Sequence, residues 1–233
     1  MPNPVAVIVG VGPGLSASLA RRLSKAGYDL VLAARDVNKL AQLAQETGAR
    51  TVALEASDPE GMQALFDGLP TAPRVAVYNP SMRVRGPVAE VDPADVLNAL
   101  KITAYGAFLM GQAAARTMLQ AAPDATGKRG TILFTGASAG TKGFAQSAAF
   151  AMGKFAQRGL AESMARELNP KGIHVAWVNI DGSIRNPGRT EPADQPDSML
   201  CPDAIARAYL NLIDQDRSVW SNELTLRPWV ERF

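Results

Sequence analysis

The chain has 233 residues, 47% of them hydrophobic, enough for one large core and an ordinary size for one α/β domain. Its 24 Lys and Arg against 22 Asp and Glu leave a formal charge of +2 spread along the chain, so no basic tract points to nucleic acid or an anionic membrane. A single cysteine, Cys201, excludes an internal disulfide and fits a reducing compartment, no apolar run reaches the roughly 18–20 residues of a bilayer span, and Met1-Pro2-Asn3-Pro4 is no basic leader; a cytoplasmic, soluble protein with a small-molecule partner is expected.

In chain order, short β-branched runs alternate with longer amphipathic stretches, the rhythm of a parallel sheet with helices on both faces. Val5 to Val9 reads as the first strand. It is followed by Val9-Gly10-Val11-Gly12-Pro13-Gly14-Leu15-Ser16 and a helix through Leu19, Leu23 and Ala26. Leu30 to Leu32, Thr51 to Leu54 and Val75 to Tyr78 read as strands two to four. Thr131 to Phe134, Val175 to Val178 and Glu223 to Leu226 supply three more, which makes a seven-stranded sheet. The longest helices run roughly from Pro93 to Leu119 and from Ser147 to Leu168, the second ending at Asn169-Pro170. One irregular stretch, rich in Pro, Gly and Asp, lies near 181–202, and a loop of that length inside one compact domain spanning 1–233 reads as a lid or substrate loop.

The glycine run has a chemical reading. Glycines let the backbone turn sharply and approach a pyrophosphate, whose charge a helix N-terminus then meets. Its place in the first strand-turn-helix makes Gly10, Gly12, Gly14 and Leu15 candidate cofactor residues. At the end of strand two, Leu32-Ala33-Ala34-Arg35-Asp36 has no acid at the tip and an arginine beside it. An acid there would repel a 2′-phosphate and Arg35 would pair with one, so NADP is favoured. Arg35 also reads as a solvated charge at a helix start, with Asp36 as its cap.

With Phe150-Ala-Met-Gly-Lys154, in which Phe150 and Lys154 are four apart on one helix face, these motifs resemble the short-chain dehydrogenase/reductase family almost end to end. That resemblance implies a doubly wound, Rossmann-type domain with NADP (NADPH) as cofactor. In the family the matching pair is Tyr and Lys, the phenol protonating the substrate oxygen while the ammonium lowers its pKa and holds the cofactor ribose. Phe150 has no hydroxyl and can do no acid–base work. The glycine loop matches the family's at Gly10 and Gly14, with Ser16 in place of the third glycine at some cost in helix packing. Asn79 matches the first residue of the family's Asn-Ala-Gly turn, and Glu55 stands where an adenine-contacting Asp is usual. Gly182 and Ile184 match the turn that holds the nicotinamide amide, with Asn186 able to replace its Thr.

Two further family positions are altered. The usual spacing to the substrate-binding Ser lands on Ala137, with Ser138 one residue off; an offset of one points a strand residue the other way, unless the following loop adjusts. The family's helix-four Asn is matched by Thr103. The resemblance thus carries over Lys154, Ser138, Phe150 and Thr103 to the catalytic centre, without a metal, and implies a homodimer or homotetramer formed by the long helices and the aromatic C-terminus at Trp229 and Phe233. His174 reads as a packed or surface residue rather than a base, Cys201 as a packed thiol, Tyr78 as a core or interface aromatic, and Tyr105 as the same or a relocated acid. Three functions remain open: an NADP-linked oxidoreductase acting on substrates that need no phenol, such as imines or conjugated C=C bonds; a non-redox enzyme; and a protein that senses the dinucleotide without turnover.

Overall fold

The computed structural model describes residues 2–231 and shows one α/β domain built on a seven-stranded parallel sheet. Its strands are β1 (Val5–Val9), β2 (Asp29–Ala34), β3 (Arg50–Ala53), β4 (Val75–Tyr78), β5 (Gly130–Thr135), β6 (Ile173–Ile180) and β9 (Glu223–Leu226), in the order β3-β2-β1-β4-β5-β6-β9. Helices α1 (Leu15–Lys25), α2 (Ala41–Thr47) and α7 (Pro202–Ile213) contribute to the core on one face. On the other face lie α3 (Pro59–Asp67), α5 (Gly106–Gln120) and α6 (Ala148–Leu168).

The period of two in the strands decides which core each side chain enters. Val5, Val7 and Val9 face the α5 and α6 side, whereas Ala6 and Ile8 face α1 and α7. Ile132 and Phe134 repeat the pattern in β5, with Leu133 opposite. Both faces are dry, so the strands read as unbroken apolar runs, and truncating a residue such as the fully buried Ile8 to Ala would cost about 2–5 kcal/mol. Helix starts follow their caps: Asp58 and Asp92 accept from the amides of Glu60 and Ala94, each ahead of a proline in the first turn. The long α6 stops where a turn at Asn169–Lys171 leads into Gly172, with φ of 85°.

Two expectations are refined. The helix expected over Pro93 to Leu119 runs without a gap to Gln120, as α4 (Pro93–Leu100) and α5 joined by one wide π-helical turn at Lys101–Tyr105. Tertiary contact selects that turn: the Tyr78 hydroxyl donates to the Ile102 carbonyl, and Gly106 lies so close to Tyr78 and Ala56 that a Cβ would collide with them. The stretch near 181–202 is not structureless either. Its ends are zipped by β7 (Ser183–Ile184) pairing in parallel with β8 (Met199–Leu200), an isolated bridge joins Asn186 and Arg189, and Glu191 accepts from the Met199 amide.

Candidate active-site cleft

The carboxyl ends of β1, β2, β4, β5 and β6 open into one cleft of about 1450 Å³, centred where the strand order reverses between β1 and β4. Gly10 turns the chain out of β1 at φ 81°; a Cβ there would lie 2.5 Å from Pro80 Cγ, so only glycine fits. Its carbonyl accepts from Asn79 Nδ2 at 3.1 Å and from Ser16 Oγ at 3.2 Å, so Asn79 fixes the glycine turn from β4. Ser16 is buried and ties the start of α1 back to the turn.

At Gly12 a Cβ would meet nothing within 4 Å, which leaves open space against the loop. Gly14 precedes α1 with no side chain accepting from the first amides, and Leu15 lines the cleft beside it. An uncapped helix N-terminus beside open space accepts an anionic group such as a pyrophosphate. Ala34 and Arg35 line the adjoining wall, with Glu55 further along. Asp36 caps the next turn by accepting from the Asn38 amide at 3.1 Å and lies 3.5 Å from Lys39. The capping reading and the phosphate reading of this stretch are therefore compatible: Asp36 does the first and Arg35 is left on the cleft wall for the second. On the opposite rim Gly182, Ile184 and Asn186 line the cleft, and Asn186 Cβ is only 3.3 Å from where a Cβ on Gly14 would be. The residues expected to hold a dinucleotide thus meet around one space whose shape and donors fit it.

At the inner end α6 presents Phe150 and Lys154 to the cleft together. Phe150 is 5% exposed and Lys154 2% exposed, with the ammonium 6.0 Å from the ring centroid. Lys154 Nζ donates to the Thr135 carbonyl at 2.6 Å and to Gln157 Oε1 at 3.2 Å. Burial first, and the Arg83 charge second, lower its pKa from 10.5 to about 7. Gln157 is the polar hub that sequence reasoning missed. Its amide also donates to the Thr103 carbonyl at 3.3 Å and its Oε1 accepts from Trp177 Nε1 at 3.3 Å. The signal was present in the i, i+3 spacing from Lys154.

Ser138 and Ala137 both line the cleft, at the start of the 3₁₀ turn Ser138–Gly140, so the offset does not remove the hydroxyl-bearing residue from the wall. Thr103 is placed otherwise. It sits in the π turn, 1% exposed and away from the cleft wall, where its hydroxyl accepts from the Met82 amide at 3.1 Å. This contact pins the loop that follows Asn79.

Neither Tyr78 nor Tyr105 lines the cleft. Tyr78 is fully buried, and burial followed by the charge of Glu55 pushes its pKa far above the ordinary range. Tyr105 is exposed and stacks on Phe108 at 6.4 Å, outside the cleft. His174 is buried in β6 with Nε2 2.9 Å from the Ser221 carbonyl, its ring 4.9 Å from Trp220, and burial lowers its pKa. Cys201 is the half-buried residue preceding α7. Trp229 is exposed and donates to Asp197 Oδ2 at 3.2 Å, whereas Phe233 lies outside the described residues. Among the described residues no helix is long and apolar enough to cross a membrane, and no His, Cys, Asp or Glu group forms a metal set.

A second set of side chains was not anticipated. Arg83 lies over Phe150 with Cζ 4.4 Å from the ring centroid, and Arg85, Lys142 and Arg189 also line the cleft. Three arginines meet here from two loops that are 104 to 106 positions apart in sequence, counting Arg189 against Arg85 and Arg83.

A model of the short chain dehydrogenase family matches residues 4–188. The L-2,3-butanediol dehydrogenase of Corynebacterium glutamicum is 27% identical over 211 residues, covering 78% of this chain and 77% of the relative. A very-long-chain 3-oxoacyl-CoA reductase of Aspergillus fumigatus is 26% identical over 224 residues, covering 91% of this chain and 62% of the relative. A crystal structure of a short-chain dehydrogenase from Rhodopseudomonas palustris is 32% identical, with a TM-score of 0.80 over 97% of this chain and 99% of that one. A metagenomic short-chain oxidoreductase crystallised in complex with NADP is 28% identical, with a TM-score of 0.82 over 97% and 98%.

Proposed function

The chain belongs to the short-chain dehydrogenase family, and on that premise we propose that it is an NADP-dependent oxidoreductase that reduces a conjugated carbon–carbon double bond without help from a phenol. The observation that carries this reading is the pair in the cleft wall: an inert ring at Phe150 beside a retained, buried Lys154. Bound NADPH would supply the hydride. The glycine turn and the start of α1 would hold its pyrophosphate, Arg35 its 2′-phosphate, Lys154 a ribose hydroxyl, and Gly182, Ile184 and Asn186 the nicotinamide side.

The substrate class follows from proton supply. A simple ketone needs a proton at oxygen as hydride arrives, and nothing at position 150 can give one. A conjugated alkene can take its proton from water after hydride transfer. An iminium, already cationic, also needs no phenol, and a bare aromatic face would favour it by roughly 0.5–2 kcal/mol. That face, however, already carries Arg83 at 4.4 Å. Two unit charges about 4 Å apart repel by about 1 kcal/mol in water and about 4 kcal/mol near a protein surface, so the conjugated alkene is favoured over the imine. Ser138, on the wall, would orient the substrate rather than protonate it.

We further infer a homodimer or homotetramer, supported by apolar side chains left in the open on neighbouring helices: Leu97 on α4, Phe108 on α5, and Met152 and Phe155 on α6. A reducing, cytoplasmic setting fits the lone Cys201.

The experiment is a panel of conjugated enones, cyclic imines and matched ketones followed by NADPH consumption in wild type and Phe150→Tyr. Enones should be turned over by wild type. Ketone reduction should be poor and should rise about 10²–10⁴-fold in Phe150→Tyr, the usual worth of a general acid. Ketone reduction by wild type at the rate of the tyrosine variant would refute the reading.

A further inference from the structure

The substrate half of the cleft is walled by cations that no acid answers. Arg83 rests on the Phe150 ring, so the stack holds the guanidinium in place without using any of its N–H donors. Thr103 holds the preceding residue by accepting from the Met82 amide, which fixes the base of the Arg83 side chain. Arg85 and Arg189 line the same wall. All three side chains are exposed, and Arg83 feels the other two: partial burial first, then the charges of Arg85 and Arg189, lower its pKa. Among the described residues none of the three has a carboxylate within 4.0 Å. Of the acids lining the cleft, Asp181 is engaged by Arg227 at 3.3 Å, and neither Glu55 nor Glu231 comes within 4.0 Å of the three arginines.

Like charges brought together and left without a counter-charge destabilise the free protein, and a bound oxyanion reverses that, because guanidinium forks match carboxylate and phosphate two bonds at a time. We propose that the substrate carries an oxyanion, a carboxylate or a phosphate, held by Arg83, Arg85 and Arg189 beside Phe150. Phenylalanine at position 150 then has a reason of its own: it is the platform for the anion-binding arginine. The inference rests on the reading of the cleft as a reductase site, and it narrows the substrate to conjugated alkenes that bear an acidic group.

The test is calorimetric titration of the NADPH-loaded protein at low salt with three probes that carry no reducible double bond: benzoate, phenyl phosphate and the neutral benzamide. At least one anion should bind about tenfold or more tightly than the amide, the worth of one good charge-assisted pair, and the tighter of the two names the oxyanion. Arg83→Gln should abolish the preference. The double variant Arg85→Gln/Arg189→Gln, which leaves the Phe150 stack intact, should weaken it in the same direction, and a thermal melt of each variant establishes that it is folded. Equal binding of all three probes, or a preference that survives in both folded variants, would overturn the proposal. Repeating the titration without NADPH keeps the two readings apart. An anion preference in a protein that neither binds nor oxidises NADPH would sink the reductase and leave the arginine site standing, whereas turnover of neutral enones without any anion preference would sink the arginine site alone.

Discussion

Lys154 offers the sharpest test of the inner cleft, because its burial has a thermodynamic consequence that needs no substrate. Burial, and then the Arg83 charge, bring its pKa from 10.5 to about 7 in the folded protein, while the unfolded chain regains the ordinary value. A lysine with a depressed folded pKa binds fewer protons folded than unfolded between those two values. Stability therefore rises with pH across that window, and the full penalty for the buried ammonium applies below it. For one such group the two pKa values give a gain of about 1.5 kcal/mol between about pH 7 and pH 8.5. The perturbation is Lys154→Met, which keeps the length and removes the charge. Urea unfolding at both pH values should show wild type gaining about 1.5 kcal/mol more than the variant, a difference in which every other titrating group cancels. Arg83→Gln should shrink the gain without removing it, since burial is the larger cause. An identical pH dependence in wild type and Lys154→Met would refute the burial of this ammonium.

The sheet was legible because its strands are continuous apolar runs between breakers. Val5–Val9, Val75–Tyr78 and Glu223–Leu226 have the bounds that their residues suggest, and β5 and β6 extend the expected runs by one to two residues at each end. The π turn was not legible. Lys101 to Tyr105 carry no breaker, and the turn depends on Tyr78, which reaches it from a strand more than twenty residues away. The same divide runs through the cleft. The glycine turn, Asn79, Arg35 and the Phe150/Lys154 pair are local motifs with fixed spacing, and the fold brings them to one space. The arginine cluster is assembled by two loops whose approach follows from tertiary packing, so no spacing announced it, although Arg83 and Arg85 follow closely on the Asn79 turn. The Thr103 hydroxyl meets a loop amide from within the π turn, a contact that no spacing along the chain announces.

Three further outcomes can be measured. Arg35→Ala should weaken NADPH binding by about tenfold or more and leave NADH binding nearly unchanged, since the arginine on the wall after β2 would meet only the 2′-phosphate; equal losses for both nucleotides in a fluorescence titration would refute this. Light scattering should give at least a dimer at micromolar concentration, and a charged residue in place of the exposed Met152 on α6 should shift it toward monomer; a monomeric wild type would contradict the interface. The last prediction concerns Gln157, which joins three elements without touching the cleft. Gln157→Leu keeps the bulk but leaves three buried groups short of a partner: one donor bond of Lys154, the Thr103 carbonyl and the Trp177 indole N–H. Lys154 keeps its bond to Thr135, so the indole N–H is the group left without a partner; at about 1–3 kcal/mol for it and less for the other two, the loss of stability should be about 2 kcal/mol or more, above what a surface glutamine costs. Loss of the Oε1 acceptor also removes a bond that favours the ammonium, so the Lys154 pKa should fall further and the rise of stability with pH should begin at a lower pH than in wild type. A variant that loses less than about 1 kcal/mol in urea unfolding would show that this network does not hold the inner wall together.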